Sequence, residues 1–116
     1  MQTSLGPRTL VRIYLSEGEK HHHGPLWRVL LDRLHREGFA GATVLRAIAG
    51  FGARSHVHTT AILDLASDLP LVIEIVEDDA ALARLTPILD ELLEHGLVTM
   101  EKVDVVRFGP KPKPSG

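Results

Sequence analysis

Two segments with apolar residues at helical spacing each lie between short runs rich in β-branched residues, and this order limits the fold. The order strand, helix, strand, strand, helix, strand is that of the ferredoxin-like fold, in which two helices cover one face of a four-stranded antiparallel sheet. We therefore predict an α+β sandwich of the βαββαβ type. The predicted strands are residues 10–15, 42–49, 71–76 and 99–108, and the predicted helices are residues 25–37 and 78–95.

The ends of both predicted helices carry residues that favour helix termini. Pro25 suits the first helical position because its missing N–H has no intrahelical partner there, and Gly38 suits the left-handed residue after the helix. The acidic residues 78–79 favour the start of the second helix through the helix dipole. Pro87 lies inside this helix, where we expect either a kink or a new helix start capped by Thr86.

Length and composition are typical of one compact domain. We assign the domain to residues 1–109 of the 116 and expect the proline- and lysine-rich residues 110–116 to be disordered. With 13 Lys and Arg against 15 Asp and Glu, the chain lacks the basic excess of nucleic-acid-binding proteins. It has no cysteine, no signal-peptide pattern and no apolar stretch of the roughly 20 residues that a membrane helix needs. We therefore expect a cytoplasmic protein that neither binds nucleic acid nor inserts into a membrane.

Residues 51–70 form a connection of twenty residues between the second and third predicted strands. A connection of this length is uncommon inside a compact domain, and it is usually a functional loop or contains a further hairpin. We expect this segment to combine both.

Alternation along the strands divides the predicted sheet into two faces. One set should meet the helices: Val11, Ile13, Leu15, Thr43, Leu45, Ala47, Ala49, Leu71, Ile73 and Ile75. The other set has one charge per strand among apolar residues: Leu10, Arg12, Tyr14, Val44, Arg46, Ile48, Val72, Glu74 and Val76. An apolar face of this size marks an interface, with Arg12 or Arg46 paired to Glu74, so we predict an oligomer. The alternative is a half-polar open sheet in a monomer.

Sequence signatures of catalysis such as H-E-x-x-H, G-x-S-x-G and Walker A do not occur, so we do not expect an enzyme. Gly50-x-Gly52 lacks the third glycine and the following helix of a dinucleotide-binding fold. The two glycines still permit positive φ and close approach of the backbone to a ligand, and Arg54 and His56 could hold an anion there. The alternative is a turn or bulge without a ligand.

Five of the seven histidines form two clusters, residues 21–23 and the pair His56 and His58. Imidazole is a common zinc ligand, so a metal-binding or metal-sensing protein that uses His56 and His58 is a second hypothesis. The alternative is a solvated polar loop, because no neighbouring motif completes the four ligands of a structural zinc site.

Several ordered blocks between Leu10 and Phe108 resemble the domain-of-unknown-function family 190. These blocks are Gly41–Arg46, Ile48–Gly52, His56–Thr59, Asp68–Pro70 with Val72–Val76, and Val103–Arg107. Members of this family look like PII signalling proteins. The resemblance implies a ferredoxin-like homotrimer with three clefts between subunits and a flexible loop after the second strand, corresponding to residues 51–70, that contacts a protein partner.

By this resemblance, residues 50–52 form the turn at the base of the loop, beside the cleft where adenine nucleotides bind. The chain departs from PII proteins at residues 96–102, where one glycine and an acidic residue replace a glycine-rich phosphate-binding segment. Family members are often encoded beside fluoride exporters, which points to a membrane transporter or channel as the partner. The candidate ligand-binding residues are Gly50, Phe51, Gly52, Arg54 and His56, with Arg46, Lys102 and Arg107 supplying positive charge.

The leading hypothesis is therefore a non-enzymatic regulator that binds a small anion, with adenine nucleotides as candidates, and couples binding to the order of its loop. The metal-binding protein is the second hypothesis. An enzyme that degrades a small nucleotide is the third.

Overall fold

The computed structural model describes residues 1–51 and 69–111. The elements in chain order are β1 (Gln2–Ser16), β2 (Lys20–His21), β3 (Gly24–Pro25), α1 (Leu26–Arg36), β4 (Thr43–Arg46), β5 (Pro70–Glu77), α2 (Asp79–Leu92) and β6 (Leu97–Phe108). β2 and β3 form a small hairpin of their own between the first strand and the first helix, where no strand was predicted. The remaining six elements follow the predicted order.

The main sheet is antiparallel, with the strand order β4-β5-β1-β6. β1 and β5 lie in the middle, so the first and third strands of the βαββαβ pattern are neighbours, as the ferredoxin-like arrangement requires. The helices pack on one face only, and the core lies between them and the sheet. This core comprises Val11, Ile13, Leu15, Leu26, Leu30, Leu34, Phe39, Ile73, Ile75, Ala81, Leu85, Ile88 and Leu92. The predicted fold class is confirmed.

The turn after α1 explains why the helix ends where it does. Gly38 has φ of +83°, its N–H donates to the carbonyl of His35 at 3.2 Å, and the N–H of Phe39 donates to the carbonyl of Leu34 at 3.1 Å. This is a Schellman motif, which satisfies two helix carbonyls that would otherwise lack partners. Gly38 therefore holds the predicted position, whereas Pro25 precedes the helix by one residue and belongs to β3.

α2 begins at an acidic cap and continues through its proline. The Asp78 carboxylate accepts a hydrogen bond from the N–H of Ala81 at 3.0 Å, which satisfies one of the first N–H groups of the helix. Pro87 lies within the helix, and there is no new start at Thr86. The helix ends at Leu92, three residues before the predicted end.

β4 corrects the predicted division of the sheet faces. Val44 lies opposite Ile73 and packs against the core, whereas Leu45 lies opposite Val72 on the open face and is 47% exposed. The strand ends at Arg46, so residues 47–49 do not continue the alternation. The reason is that alternation shows which residues share a face but not which face is covered, and each side of this strand carries one apolar and one polar residue.

β1 is much longer than predicted, and its first half has only one neighbouring strand. Pairing of β1 with β5 begins at Thr9, whereas its pairing with β6 extends back to Gln2. Residues Gln2–Arg8 and Val103–Phe108 therefore form a two-stranded extension beyond the sheet, which we call the ribbon. A register shift between Ser4 and Gly6 marks a β-bulge in it, and Gly6 has φ of +77°.

Candidate functional site

The end of β4 and the start of β5 place three of the predicted ligand-binding residues at one end of the sheet. The N–H of Ala47 donates to the carbonyl of Pro70 at 2.9 Å, which extends the ladder one residue beyond Arg46. Gly50 has φ of +153°, and a Cβ there would lie 3.1 Å from Cγ of Pro70. The backbone conformation therefore favours glycine at this position, and the close approach of Pro70 leaves little room for a side chain. Phe51 follows it and is 72% exposed.

Arg46 is held by a carboxylate that the sequence reasoning did not single out. Its Nη2 lies 2.8 Å from Oε1 and 3.0 Å from Oε2 of Glu17, and its Nε lies 3.2 Å from Oε2. The N–H of Glu17 also donates to the carbonyl of Leu69 at 2.9 Å, so β1 is tied to the entry into β5. An anion that binds Arg46 must compete with Glu17. Of the two arginines predicted as partners for Glu74, Arg46 is not the one that pairs with it, since Arg46 lies opposite Leu71.

Within one copy of the chain, the other two predicted cations lie far from Arg46. Lys102 lies opposite Thr9, six residues along β1 from Leu15, so about 20 Å separates it from the end of the sheet that holds Arg46. Arg107 lies opposite Thr3 in the ribbon, about 20 Å further still. A single copy does not bring the three cations together.

Lys102 contacts the start of α2. Its Nζ donates to the hydroxyl of Thr9 at 3.1 Å and lies 3.8 Å from the carboxylate of Asp79. The turn that precedes β6 spans only residues 93–96, and residues 97–102 belong to the strand. The segment that a PII protein uses as a phosphate-binding loop is therefore mostly strand in this chain.

The remaining candidates fall on residues 52–68, which lie outside the described part of the chain. They are Gly52, Arg54, His56 and His58, together with most of the predicted 51–70 loop. Their assignment stays a prediction. The same holds for most of the predicted tail, since the description ends at Lys111.

The histidine cluster at residues 21–23 lies at the β2–β3 hairpin. The rings of His21 and His22 are 5.1 Å apart, and those of His21 and His23 are 5.8 Å apart. Among residues 1–51 and 69–111, no group of three or more histidine, aspartate or glutamate side chains could hold a metal ion. The zinc hypothesis for His56 and His58 stays a prediction, since both residues lie outside the described ranges.

The sheet face that the helices leave open has a charged centre. The Arg12 guanidinium donates to Glu74 at 3.0 Å and to Glu101 at 2.6 Å. These hydrogen bonds, from Glu101 first and Glu74 second, hold the pKa of the Arg12 side chain above its ordinary value. Pairing of Arg12 with Glu74 was predicted and is confirmed, whereas Glu101 was missed because the face of β6 was not assigned.

Apolar side chains surround this charged centre. From all four strands, the open face carries Leu10, Tyr14, Leu45, Val72, Val76 and Leu97, of which Leu45, Val76 and Leu97 are exposed. The predicted combination of apolar residues around paired charges is therefore present on this face, although β4 contributes Leu45 to it rather than Val44 and Arg46.

A cavity of about 340 Å³ lies on the other side of the molecule, between the last turns of α1 and the chain that enters β4. Leu31, Leu34 and Phe39 are among its apolar lining residues, and Asp32 and His35 also line it. None of the predicted ligand-binding residues lines it. No helix in the described ranges is both long enough and apolar enough to cross a membrane.

Comparison with known proteins agrees with this geometry. The chain is 37% identical over 101 residues to a UPF0166 protein of Aquifex aeolicus, covering 85% of this chain and 93% of the relative. Its structure resembles CPII of Thiomonas intermedia K12 bound to ADP, AMP and acetate, with a TM-score of 0.60, 20% identity and coverage of 86% of this chain and 89% of CPII. It also resembles a putative PII-like signalling protein of Thermus thermophilus, with a TM-score of 0.54, 21% identity and coverage of 90% and 93%.

The solved structures show the fold, and the family is shown by the sequence. The model of the domain-of-unknown-function family 190 (DUF190), described as "Uncharacterized ACR", matches residues 8–105. The structural neighbours of the chain are PII-like proteins. By its sequence, the chain belongs to the DUF190 (UPF0166) family.

Proposed function

We propose that this chain is a non-enzymatic, cytoplasmic regulator of the PII-like type. In this proposal it assembles as a trimer, binds a small anion in the clefts between copies and acts on a protein partner through residues 51–70. The observation that carries the proposal is the PII-like fold, because a structural neighbour with that fold holds ADP and AMP. An adenine nucleotide is therefore the first effector to test.

The base of the 51–70 segment supports a ligand site at that position. Gly50 brings the backbone close to Pro70, and the exposed ring of Phe51 follows directly. An exposed aromatic ring beside a backbone turn can stack on a nucleobase, while Arg46 can meet a phosphate. Arg54 and His56 would add to this site from the segment itself.

The positions of the cations favour a site shared between copies. Arg46 lies at one end of the sheet and Lys102 and Arg107 lie toward the other, so one copy cannot direct all three at the same phosphates. The short turn at residues 93–96 does not offer the glycine-rich backbone that would otherwise bind phosphate. In the proposed trimer, one copy supplies Arg46 and a neighbouring copy supplies Lys102 or Arg107, which are themselves too far apart along β6 to contact the same phosphates.

The partner is the least defined part of the proposal. A membrane transporter or channel is the partner that the family resemblance suggests, and the ligand would act by changing the order of residues 51–70. The ratio between the ligand's affinities for the ordered and the less ordered arrangement of that segment would then set how far ligand binding shifts the segment from one to the other.

The pairing of Arg46 with Glu17 allows a test with two variants, one expected to weaken ADP binding and the other expected to strengthen it. Arg46→Gln removes a cation from the site and is expected to weaken ADP binding about tenfold. Glu17→Gln frees Arg46 from its bidentate carboxylate and is expected to strengthen ADP binding about threefold. Isothermal titration calorimetry of each variant with ADP measures both effects.

Arg28→Gln is the matched control, because it removes an exposed positive charge that lies over Trp27, on the outside of α1. Its ADP affinity is expected to equal that of the unmodified chain. Failure of the unmodified chain to bind ADP or ATP at millimolar concentration would contradict nucleotide binding. Equal affinities of the Arg46, Glu17 and Arg28 variants would remove Arg46 from the site.

A further inference from the structure

The cavity beside the last turns of α1 has a well-packed apolar floor. Leu34 and Phe39 line it and are almost fully buried, at 1% and 7% exposure. The Arg84 guanidinium lies over the Phe39 ring, 4.8 Å from its centroid, and helps to hold the ring in place. The volume of about 340 Å³ lies at the lower end of the range for small-molecule sites. The cavity therefore has the size and the lining to hold a small molecule with an apolar body.

A second wall of the cavity is the chain that leads into β4, residues 39–42. Hydrogen bonds fix its backbone, because the N–H of Phe39 donates to the carbonyl of Leu34 at 3.1 Å and the N–H of Ala40 donates to the Glu77 carboxylate at 2.7 Å. The strand itself begins directly after this wall. The cavity is therefore formed by the folded chain alone, as is typical of small-molecule sites.

Gly41 belongs to this wall, and nothing within the chain requires glycine there. Its φ lies outside the left-handed region, and a Cβ at this position would have no atom within 4 Å beyond those of its chain neighbours. A side chain is therefore compatible with the backbone and with the packing of one copy. The open space beside Gly41 leaves room for a bound molecule.

The polar side chains of the lining define which molecule fits. Among the described lining residues, Asp32 is the only charged one, and His35 lies one helical turn further along. Neither side chain forms a hydrogen bond or an ion pair with any described residue. Arg28 and Arg36 lie one turn before and one turn after Asp32 without pairing to it, and Arg28 lies over Trp27 instead. An unpaired carboxylate beside an apolar cavity favours a ligand with a cationic head.

We propose that this cavity binds a small primary amine with an apolar body. The apolar body lies in the space between Leu34, Phe39 and Gly41, where its burial is favourable. The ammonium group donates a charge-assisted hydrogen bond to the Asp32 carboxylate. An anionic head would meet the same carboxylate and be repelled. This site shares no residue with the proposed anion site, so the inference goes beyond the proposed function and does not depend on it.

Three probes with the same ring and different heads test the proposed chemistry: benzylamine, benzyl alcohol and benzoate. Benzylamine is expected to bind with a Kd of about 1 mM, a usual affinity for a ligand of this size. Benzyl alcohol is expected to bind about tenfold more weakly, and benzoate more weakly still. Backbone N–H shifts of Gly41 and Ala42 in the isotope-labelled full chain, at about pH 8 where imidazole is neutral, report binding at the cavity. Absence of these shifts with benzylamine, or equal or tighter binding of benzoate, would overturn the inference.

Gly41→Leu tests the position of the site by filling the open space. Benzylamine binding is expected to weaken by at least about tenfold, because the leucine side chain takes the place of the apolar body. Gly109→Leu is the matched control, since Gly109 also has a φ outside the left-handed region and open space around a Cβ, and it follows β6 away from the cavity. Its benzylamine affinity is expected to equal that of the unmodified chain.

Asp32→Asn tests the charge and leaves the shape of the cavity nearly unchanged. It is expected to weaken benzylamine binding about tenfold and to leave the binding of benzyl alcohol unchanged. Asp90→Asn is its control, an exposed aspartate on α2 that does not line the cavity. Equal benzylamine affinities of the Asp32 and Asp90 variants would remove Asp32 from the site and overturn the proposed ligand chemistry.

Circular dichroism checks that each variant keeps its fold, and if Gly41→Leu does not fold, the Asp32→Asn result decides. Unchanged benzylamine affinity in a folded Gly41→Leu variant would overturn the inference. ADP titration of the same samples tests the proposed function separately. A chain that binds benzylamine in the cavity and no nucleotide supports this inference and contradicts nucleotide regulation, whereas the reverse result overturns this inference alone.

Discussion

The two faces of the sheet have similar apolar content but different surroundings. On the helix side, Val11 and Ile13 are fully buried beneath α1 and α2. On the open side, their chain neighbours Leu10 and Tyr14 remain half-exposed around Arg12. Apolar residues on both sides of a strand therefore encode two separate surfaces, of which one builds the fold and the other is available for assembly.

Polar groups are used differently on the two faces. The helix side buries Glu77, which is 8% exposed and whose Oε1 accepts a hydrogen bond from the N–H of Ala40 at 2.7 Å. This contact fixes the connection between α1 and β4. The open face instead places Arg12, Glu74 and Glu101 in the middle of the sheet. A charged cluster there is compatible with a covered surface because its members satisfy one another.

The largest expected difference between the faces is in the free energy of unfolding. Val11→Ala removes two methyl groups from a fully buried site and is expected to cost about 2 kcal/mol. Val76→Ala makes the same change on the open face, where the side chain is 41% exposed, and is expected to cost about 0.5 kcal/mol in the monomer. Urea unfolding at low protein concentration measures both values.

The cost of Val76→Ala in unfolding free energy is expected to depend on protein concentration. If the open face is an interface, the cost of Val76→Ala grows with protein concentration because assembly adds to apparent stability, whereas the cost of Val11→Ala stays constant. Equal costs for the two variants at every concentration would show that the faces do not differ in role.

The helices and the order of the elements along the chain were predictable because their signals are local. The spacing of Leu26, Leu30 and Leu34 fixes the buried stripe of α1, and Gly38 fixes its end through a conformation that glycine adopts readily. Asp78 likewise predicted the start of α2. These features depend on residues a few positions apart, so the sequence alone determines them.

The errors lie where pairing between distant residues decides the outcome. Each side of Thr43–Arg46 carries one apolar and one polar residue, and only pairing with β5 shows that Val44 is the residue that packs against the core. The ribbon was missed because Gln2–Arg8 contains glycine and proline and gains its strand structure from β6. Glu17 was missed as the partner of Arg46 for the same reason, since 29 residues separate the two.

The next largest effect is expected from Arg12 on the open face. Arg12→Gln leaves Glu74 and Glu101 without their cation, and two unpaired carboxylates in a covered interface are unfavourable. Assembly is expected to weaken about tenfold, while the thermal midpoint of the monomer changes little. Analytical ultracentrifugation measures the first quantity and calorimetry measures the second.

Arg33→Gln is the matched variant on the helical layer. Arg33 donates to Glu37 and Glu91 and so links the two helices away from the open face. Assembly of this variant is expected to be unchanged. Weakening of assembly by both variants to the same extent would mean that the open face is not the interface.

The smallest effect is expected from the pairing of Glu91 with Arg33, and its sign follows from the direction of the pKa shift. The hydrogen bond and charge of Arg33 hold the pKa of Glu91 below its ordinary value in the folded chain. On acidification the unfolded chain therefore binds this proton first, so the stability from the pair is complete above the ordinary pKa and is lost as pH falls through the lowered one.

Glu91→Gln is accordingly expected to flatten slightly the fall of the thermal midpoint between about pH 7 and about pH 3. The effect is small because the Glu91 side chain is 57% exposed and water screens the pair. Glu94→Gln is the control, an exposed carboxylate without an ion pair to any residue in 1–51 or 69–111. If the Glu91 and Glu94 variants titrate identically, Arg33 adds nothing measurable to the helical layer. A larger contribution from ion pairing would then be expected at Arg12 on the open face, where a second copy would exclude water from the pair.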